Sequence, residues 1–266
     1  MKKILLLALP LMVMCFASCE KDNGNEDNSV QKRVANIIYP ASQNYPFLGT
    51  ESFGYDEKGR VTRYIYRCLY TSTGYETTFQ VDVTYEGNRI IETTSGGAQM
   101  GYPIARQLKE EYIHHLNAGG YVIKTEYKDY WSDESYNQNG VFTYEYQNGK
   151  LVKIVEKYSE PYAHEHEYTL EWQDKNITTV SNESGDADNF LCSSIVDNLN
   201  INLFSFNAFT FDLTLSPANL KFKGTTSRHF PKMVDGNLWS YELDSDGCIK
   251  AILRDGEPYC TIEYVE

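Results

Sequence analysis

A repeated pattern of aromatic residue, turn and β-branched run most constrains how this chain can fold. The clearest copy is YEYQNGKLV at residues 144–152. Asn-Gly and Asp-x-x-Gly sequences supply the positive φ angles that tight hairpin turns require, and alternating Tyr, Val and Ile fit a pleated strand. The pattern therefore predicts a series of β-hairpins. Its copies lie at residues 53–61, 83–91, 113–122, 144–152, 170–177 and 241–249.

The spacing of the turns predicts the architecture. Tight turns are expected near residues 58, 87, 119, 149, 175 and 246, with looser turns between them, including one at Ser95–Gly97. This rhythm predicts an all-β chain that forms an antiparallel hairpin meander of about a dozen strands. Because sheets with that many strands twist and curl, we expect a curled or barrel-like sheet.

The Asn148–Gly149 turn allows a prediction of strand register. A two-residue turn places Tyr146 opposite Leu151. If the pairing continues without a bulge, Tyr144 then faces Lys153.

The regular spacing of the hairpin turns is interrupted between about residues 186 and 231. Phe190, Leu191, Ile195 and Leu199 lie near helical spacing after Asp186 and Asp188, which are plausible helix caps, and this spacing predicts a short helix. A very apolar stretch follows at residues 203–215. A stretch of this kind is unlike an exposed surface, so we expect the insertion to pack against the concave face of the sheet, with Phe204, Phe206 and Phe209 buried.

The N-terminus has the pattern of an export signal. A basic start precedes an apolar run at residues 4–16, which is too short to span a bilayer as a helix. We expect a signal peptide at residues 1–18, cleavage before a lipidated Cys19, an acidic flexible tether at residues 19–31 and one β-hairpin-repeat domain at residues 32–266. Ordinary cleavage nearby, which would release a free secreted protein, is the alternative.

Charge and location limit the partners. The formal charge of −13 argues against a nucleic-acid partner, which requires a basic footprint. We expect contact with a membrane through the lipid anchor only. The predicted location is the cell envelope, anchored to the outer membrane and facing the periplasm or the cell surface.

Three features together resemble one protein family. They are the FASC sequence that ends at Cys19, the tyrosine-rich hairpins and the GTTSRHFP segment at residues 224–231. They are similar to uncharacterised Bacteroidetes lipoproteins described as a domain of unknown function with a porin-like fold. The resemblance covers residues 32–266 and implies a curved or barrel-like antiparallel sheet, with no known activity and no catalytic residues.

A porin-like fold does not by itself predict a pore. Arg63, Ile65, Arg67 and Leu69 alternate along one face of a predicted strand. A membrane-spanning barrel needs an uninterrupted apolar outer band, which this face would break.

The sequence contains few candidates for chemistry. His164 and His166 would point to the same side of a strand and could share a metal ion, but no third ligand is visible. Asp244–Gly247 has the spacing of a calcium-loop start, although a hairpin turn explains the same residues. We therefore expect no catalytic residue, no metal and no cofactor. The pairing of Cys68, Cys192, Cys248 and Cys260 stays open.

Function is predicted only by class. Tyrosines on a sheet can stack on sugars or other flat ligands, or serve simply as strand formers. We expect a non-catalytic binding module for a glycan, a peptide or a partner protein. The alternatives are a carrier of a small apolar ligand inside the curled sheet and a hydrolase with dispersed carboxylates. The candidate stacking residues are Tyr64, Tyr66, Tyr70, Tyr127, Tyr130, Trp131, Tyr144 and Tyr146.

Overall fold

The chain forms one closed antiparallel barrel in which each strand pairs with its neighbours in sequence and the first strand pairs with the last. The structure is a computed structural model and describes residues 32–41, 47–72, 74–98, 106–130, 138–160, 163–197, 199 and 227–265. The strands are β1 Val34–Tyr39, β2 Phe47–Tyr55, β3 Val61–Tyr70, β4 Tyr75–Glu86, β5 Arg89–Ala98, β6 Arg106–Leu116, β7 Val122–Tyr130, β8 Asn139–Gln147, β9 Lys150–Tyr158, β10 His164–Gln173, β11 Asn176–Asn182, β12 Ala187–Val196, β13 His229–Val234, β14 Asn237–Leu243, β15 Ile249–Arg254 and β16 Glu257–Tyr264.

The predicted all-β antiparallel meander is confirmed, although the described residues form sixteen strands where about a dozen were expected. The short helix predicted after Asp186 is wrong. Residues 187–196 form β12, which pairs with β11 and β13, and its side chains alternate so that Leu191 is exposed between the partly buried Phe190 and Cys192. Tertiary pairing overrides the local spacing here. No helix in the described ranges is long and apolar enough to cross a bilayer.

All six predicted tight turns lie at one end of the barrel, which we call the tight-turn end. In the Asp244–Gly247 turn, the Asp244 Oδ1 accepts hydrogen bonds from the backbone N–H groups of Asp246 and Cys248 at 2.9 and 2.8 Å. Gly247 adopts a φ of 79°, which a residue with a side chain rarely adopts. We call the opposite end, where β3 and β9 finish, the loop end.

One expected turn is wrong. Ser95–Gly97 lies inside β5, where Ser95 pairs with Lys109 of β6 and with Gln80 of β4. Pairing on both sides fixes this segment as a strand, although Ser and Gly are typical of turns.

At the tight-turn end, the inner surface of the barrel is lined by buried apolar side chains. Each odd-numbered strand begins at this end, and within its first two residues it buries one apolar side chain. Together these eight side chains form a layer that we call the floor. The floor residues are Val34, Val61, Ile90, Val122, Leu151, Ile177, Phe230 and Ile249.

Aromatic side chains tie the floor together and explain the repeat in the sequence. Near the end of an even-numbered strand, an inward Tyr or Trp donates a hydrogen bond to a backbone carbonyl near the start of the preceding strand. Tyr85 Oη donates to the Val61 carbonyl at 3.0 Å, for example. The same bond joins Tyr55 to Val34, Tyr146 to Val122, Trp172 to Leu151, Tyr241 to Pro231 and Tyr264 to Ile249.

Each acceptor residue flanks a shift in strand register, where a β-bulge disturbs the regular ladder. The bulge between β8 and β9 also makes part of our register prediction wrong. Tyr146 pairs with Leu151 as expected, but Tyr144 pairs with Ile154 rather than Lys153. The shift turns Ile154 inward, where it is buried beside Leu151.

The predicted apolar insertion is shorter than expected, because its two ends belong to β12 and β13. Leu199 is fully buried in the main apolar core with Val34 and Ile37, so the chain after β12 enters the barrel interior. The predicted burial of Phe204, Phe206 and Phe209 concerns positions outside the described residues.

The outer face of the barrel carries ion pairs between neighbouring strands. Arg63 Nε lies 2.8 Å from Asp82 Oδ1, and both side chains are about half exposed. This confirms that the face of β3 with Arg63 and Leu69 points outward. Further pairs between strands join Lys153 to Glu167, Lys157 to Glu165 and Lys250 to Glu242, and one pair within β7 joins Lys124 to Glu126.

Candidate functional site: the acidic layer inside the barrel

Above the floor, the barrel interior contains carboxyl groups. They project from the inward faces of five strands, β2, β5, β6, β7 and β9. Four of them are almost completely buried, which is costly for a charged group unless it has partners. We call this set the acidic layer. It consists of Glu51, Glu92, Glu110, Asp129 and Glu156.

The centre of the acidic layer is a buried polar chain. The fully buried Glu92 carboxylate lies 3.3 Å from His114 Nε2, and His114 Nδ1 lies 2.7 Å from Thr125 Oγ1. Thr125 Oγ1 lies 3.1 Å from the hydroxyl of Tyr144, which is partly exposed. The order carboxylate, imidazole, hydroxyl resembles a catalytic triad, but Thr125 is completely buried and no substrate can approach it. The polar chain therefore joins four strands, β5 to β8, and does not supply a nucleophile.

Nearer the loop end, Glu110 and Asp129 are directly opposite each other on β6 and β7. Tyr127 Oη donates a hydrogen bond to Asp129 Oδ2 at 3.2 Å. Burial, reinforced by the charge of Asp129, raises the pKa of Glu110 to about 7, while a hydrogen bond from Tyr127 acts in the opposite direction. Near neutral pH Glu110 is therefore partly protonated, whereas a solvated glutamate is ionised.

Glu156 on β9 has a similar environment. It is 3% exposed and pairs across the sheet with His166. Burial raises its pKa to about 7, although His166 acts to lower it. His166 Nδ1 also lies 2.9 Å from Glu183 Oε1, and this hydrogen bond is the main cause that lowers the Glu183 pKa to about 2. One imidazole thus lies between a buried and an exposed carboxyl group.

The predicted histidine pair does lie on one side of β10. The His164 and His166 rings are 4.9 Å apart, and His164 stacks on Tyr158 at 4.2 Å. Within the described ranges, no group of three or more His, Cys, Asp or Glu side chains is placed to hold a metal ion. The candidate calcium loop, Asp244–Gly247, is a hairpin turn. Lys32 forms ion pairs with its Asp244 and Asp246 side chains.

The tyrosines proposed for stacking separate into two groups. Tyr64, Tyr66, Tyr127, Tyr144 and Tyr146 face the interior, whereas Tyr70 and Tyr130 are exposed. None of the four described cysteines, Cys68, Cys192, Cys248 and Cys260, forms a disulfide bond. Trp131 and the proposed lipid attachment residue Cys19 lie outside the described residues.

The acidic layer was missed in the sequence, although a signal for it exists. Side chains two residues apart on a strand share a face. Glu51 therefore shares a face with Phe53 and Tyr55, which begin the first copy of the repeat, and Glu92 shares a face with Ile90. Counting in twos back from Tyr55, before the first tight turn, and forward from Ile90, after the second, would have placed both carboxyl groups inside.

Comparison with known proteins agrees with the barrel fold. A family model described as "Domain of unknown function (DUF4595) with porin-like fold" matches residues 53–249, more than half of the sequence. The chain belongs to this family. Its porin-like fold is also found in a crystal structure of a porin-like protein from Bacteroides uniformis. That structure is 16% identical, covers 86% of this chain and 98% of its own, and superposes with a TM-score of 0.59. No curated protein matches the sequence.

Proposed function

We propose that this protein is a lipid-anchored envelope protein that binds a ligand such as a glycan or a peptide inside its barrel, without transforming it. The observation that carries the proposal is the division of the barrel interior. The floor lines the tight-turn end with buried apolar side chains, whereas the interior above it contains carboxyl and tyrosine groups that are partly exposed, including Glu51, Tyr66 and Tyr144. Sixteen strands enclose more space than side chains usually fill, so these groups are positioned to line a binding site.

The chemistry of the partly exposed groups favours a polar ligand. Tyr39, Tyr66 and Tyr144 offer hydroxyl groups and ring faces, and Glu51 offers a carboxyl group. A carrier of an apolar ligand, the first alternative, would need apolar surface that remains accessible. Leu151 and Ile249 in the floor are instead at most 1% exposed.

The hydrolase alternative requires two accessible carboxyl groups. Glu110 and Asp129 are cross-strand neighbours, and the Glu110 pKa is raised to about 7, as a general acid would require. They are only 3% and 7% exposed, however, which leaves no path for a sugar to reach them. The geometry therefore supports binding rather than hydrolysis.

The lipid anchor gives the barrel an orientation in this proposal. Lys32, the first described residue, forms an ion pair with Asp244 at 3.0 Å, which fixes the start of the domain at the tight-turn end. A tether from Cys19 would therefore place the membrane at the tight-turn end, and the loop end would face away from it. Charged pairs such as Arg63–Asp82 on the outer face support a barrel that stands on the membrane rather than within it.

The proposed binding is tested by native mass spectrometry on the intact protein from its own envelope. We expect a bound small mass or, for a weakly held ligand, saturable binding in a screen of glycans and peptides by thermal shift. Tyr66→Ala should weaken that binding, because Tyr66 faces the interior. Tyr130→Ala is the matched control, since this ring is exposed on the outer face.

Equal loss of affinity in both variants, or unchanged affinity in Tyr66→Ala, would show that the binding site lies outside the barrel interior. A protein that carries no ligand and binds nothing in the screen would contradict the proposal. Anchoring is checked separately by radioactive palmitate labelling, which Cys19→Ser should abolish.

A further inference from the structure

Glu51 is the member of the acidic layer that a ligand could reach. It lies in the middle of β2, between Ile37 of β1 and Tyr66 of β3 in the strand register. Its side chain faces inward and is partly exposed, whereas the other four members are at most 7% exposed. Because Glu51 lies on the inner surface, its exposed part opens into the barrel.

The hydrogen-bond partners of Glu51 are neutral. Tyr39 Oη donates to Glu51 Oε1 at 3.0 Å, and the Tyr64 hydroxyl also hydrogen-bonds the carboxyl group. These two bonds stabilise the ionised form, but burial outweighs them and raises the Glu51 pKa to about 7. A hydroxyl donor does not cancel the negative charge, so an ionised Glu51 gains further from a cation in the remaining space.

Aromatic rings frame this carboxyl group. The Tyr39 ring meets the edge of Tyr259 at 5.5 Å, and the Tyr64 ring lies 5.2 Å from Phe53. Gly49 makes this arrangement possible, because a Cβ there would lie 3.2 Å from a carbon of the Tyr39 ring. Without that side chain, Tyr39 lies across β2 and reaches Glu51.

A carboxylate set among tyrosine rings has a definite chemical preference. An alkylammonium group is attracted both by the negative charge and by the electron-rich ring faces, and its methyl or methylene groups fit an aromatic surface. A neutral ligand of the same shape gains only the apolar contacts, and an anion is repelled.

We propose that Glu51, with Tyr39, Tyr64 and Tyr66, forms a subsite for an alkylammonium group of the bound ligand. This inference rests on the proposed binding inside the barrel and deepens it, because it names the charged group that the ligand carries.

The test measures the binding of choline and of dimethylbutanol, its uncharged carbon isostere, to the intact protein by calorimetry. We expect choline to bind saturably at about pH 8 and dimethylbutanol to bind at least about tenfold more weakly. Glu51→Gln should weaken choline binding at least about tenfold and leave dimethylbutanol unchanged. Glu242→Gln, which removes an outer-face carboxylate about half exposed beside Lys250, is the matched control and should bind choline normally.

The pH dependence gives a second readout that needs no variant. A carboxyl group with a pKa of about 7 is mostly protonated at about pH 5.5, so choline should bind more than about tenfold more weakly there than at about pH 8. This result keeps the inference testable if Glu51→Gln fails to fold. Choline that does not saturate, binds independently of pH, or binds Glu51→Gln as well as the unaltered protein would overturn the inference.

The two proposals fail in different ways. If the glycan and peptide screen finds a ligand whose affinity depends on Tyr66 but not on Glu51, binding inside the barrel stands and the ammonium subsite is wrong. If neither the screen nor choline shows binding, the proposed function itself fails.

Discussion

The floor and the acidic layer occupy the same barrel but are stabilised by opposite means. In the floor, side chains such as Ile249 are buried without polar atoms, and the hydrophobic effect favours the folded state at any pH. In the acidic layer, burial disfavours the ionised form of groups such as Glu110. Their contribution to the free energy of unfolding therefore depends on whether they are protonated. The comparison indicates that the floor stabilises the barrel at any pH, whereas the acidic layer reduces its stability once the buried carboxyl groups ionise.

The sharpest test of the floor is Ile249→Ala. Ile249 is fully buried, and removing its side chain leaves a cavity, so we expect a loss of about 2–5 kcal/mol in the free energy of unfolding. Urea denaturation should give the same loss at about pH 5 and about pH 8. A loss that changes with pH would show that the floor and the acidic layer are not independent.

The acidic layer should respond to pH with the opposite sign from surface carboxylates. The pKa of Glu110 is about 7 when folded and near 4.5 when unfolded, so below about pH 4.5 both states are protonated. As pH rises from there to about 7, the unfolded state ionises first and stability falls. Glu110→Gln removes that fall and should be more stable than the unaltered protein by on the order of 2–3 kcal/mol at about pH 8, with no gain at about pH 4.5.

Glu126→Gln is the control for this prediction. Glu126 lies on the outer face beside Lys124, whose hydrogen bond lowers the Glu126 pKa. Its ionised form favours folding above the pKa of the unfolded chain, so this variant should gain nothing at about pH 8. The measurement is urea denaturation across this pH range. If the free energy of unfolding changed with pH equally in the two variants, the distinction between inner and outer carboxyl groups would be wrong.

The aromatic hydrogen bonds that tie the floor should have a smaller effect. Tyr85→Phe keeps the ring and removes only the hydroxyl that reaches the Val61 carbonyl, which we expect to cost about 1 kcal/mol in urea denaturation. Tyr130→Phe, an exposed tyrosine on the outer face, should be neutral. Equal effects would mean that the hydroxyl groups contribute through hydration and not through the bond to the floor.

The outer ion pairs should contribute least. Arg63→Gln breaks the pair with Asp82, and because both side chains are about half exposed we expect a loss of at most a few tenths of a kcal/mol. That loss should disappear in high salt, whereas the loss in Ile249→Ala should remain. Thermal unfolding at two salt concentrations separates the two effects.

Much of the fold was predictable because local chemistry agrees with the tertiary structure. Asn148–Gly149 encodes a hairpin turn in any context, and the copies of the repeat lie where the strands meet at the tight-turn end. The register beyond that turn was not predictable. The bulge that turns Ile154 inward depends on how the barrel curves, which no local pattern specifies.

The candidate site was harder to predict than the fold. Glu51 and Tyr39 come from two strands, and their contact depends on the absence of a side chain at Gly49. The sequence marks Tyr64 only as one of several tyrosines that could stack on a ligand. A sequence shows which side chains share a face, but it does not show how deeply they are buried, and burial is what makes Glu51 unusual.

Closure of the barrel between β1 and β16 has a consequence for how the protein is made. The N-terminal strand leaves the ribosome first, yet its pairing partner is the last strand of the chain. Until that strand arrives, β1 and the growing opposite edge both expose unpaired backbone groups, which are prone to aggregation. We therefore expect this protein to depend on holding chaperones until β16 has been synthesised, and to complete folding late and in a single cooperative step.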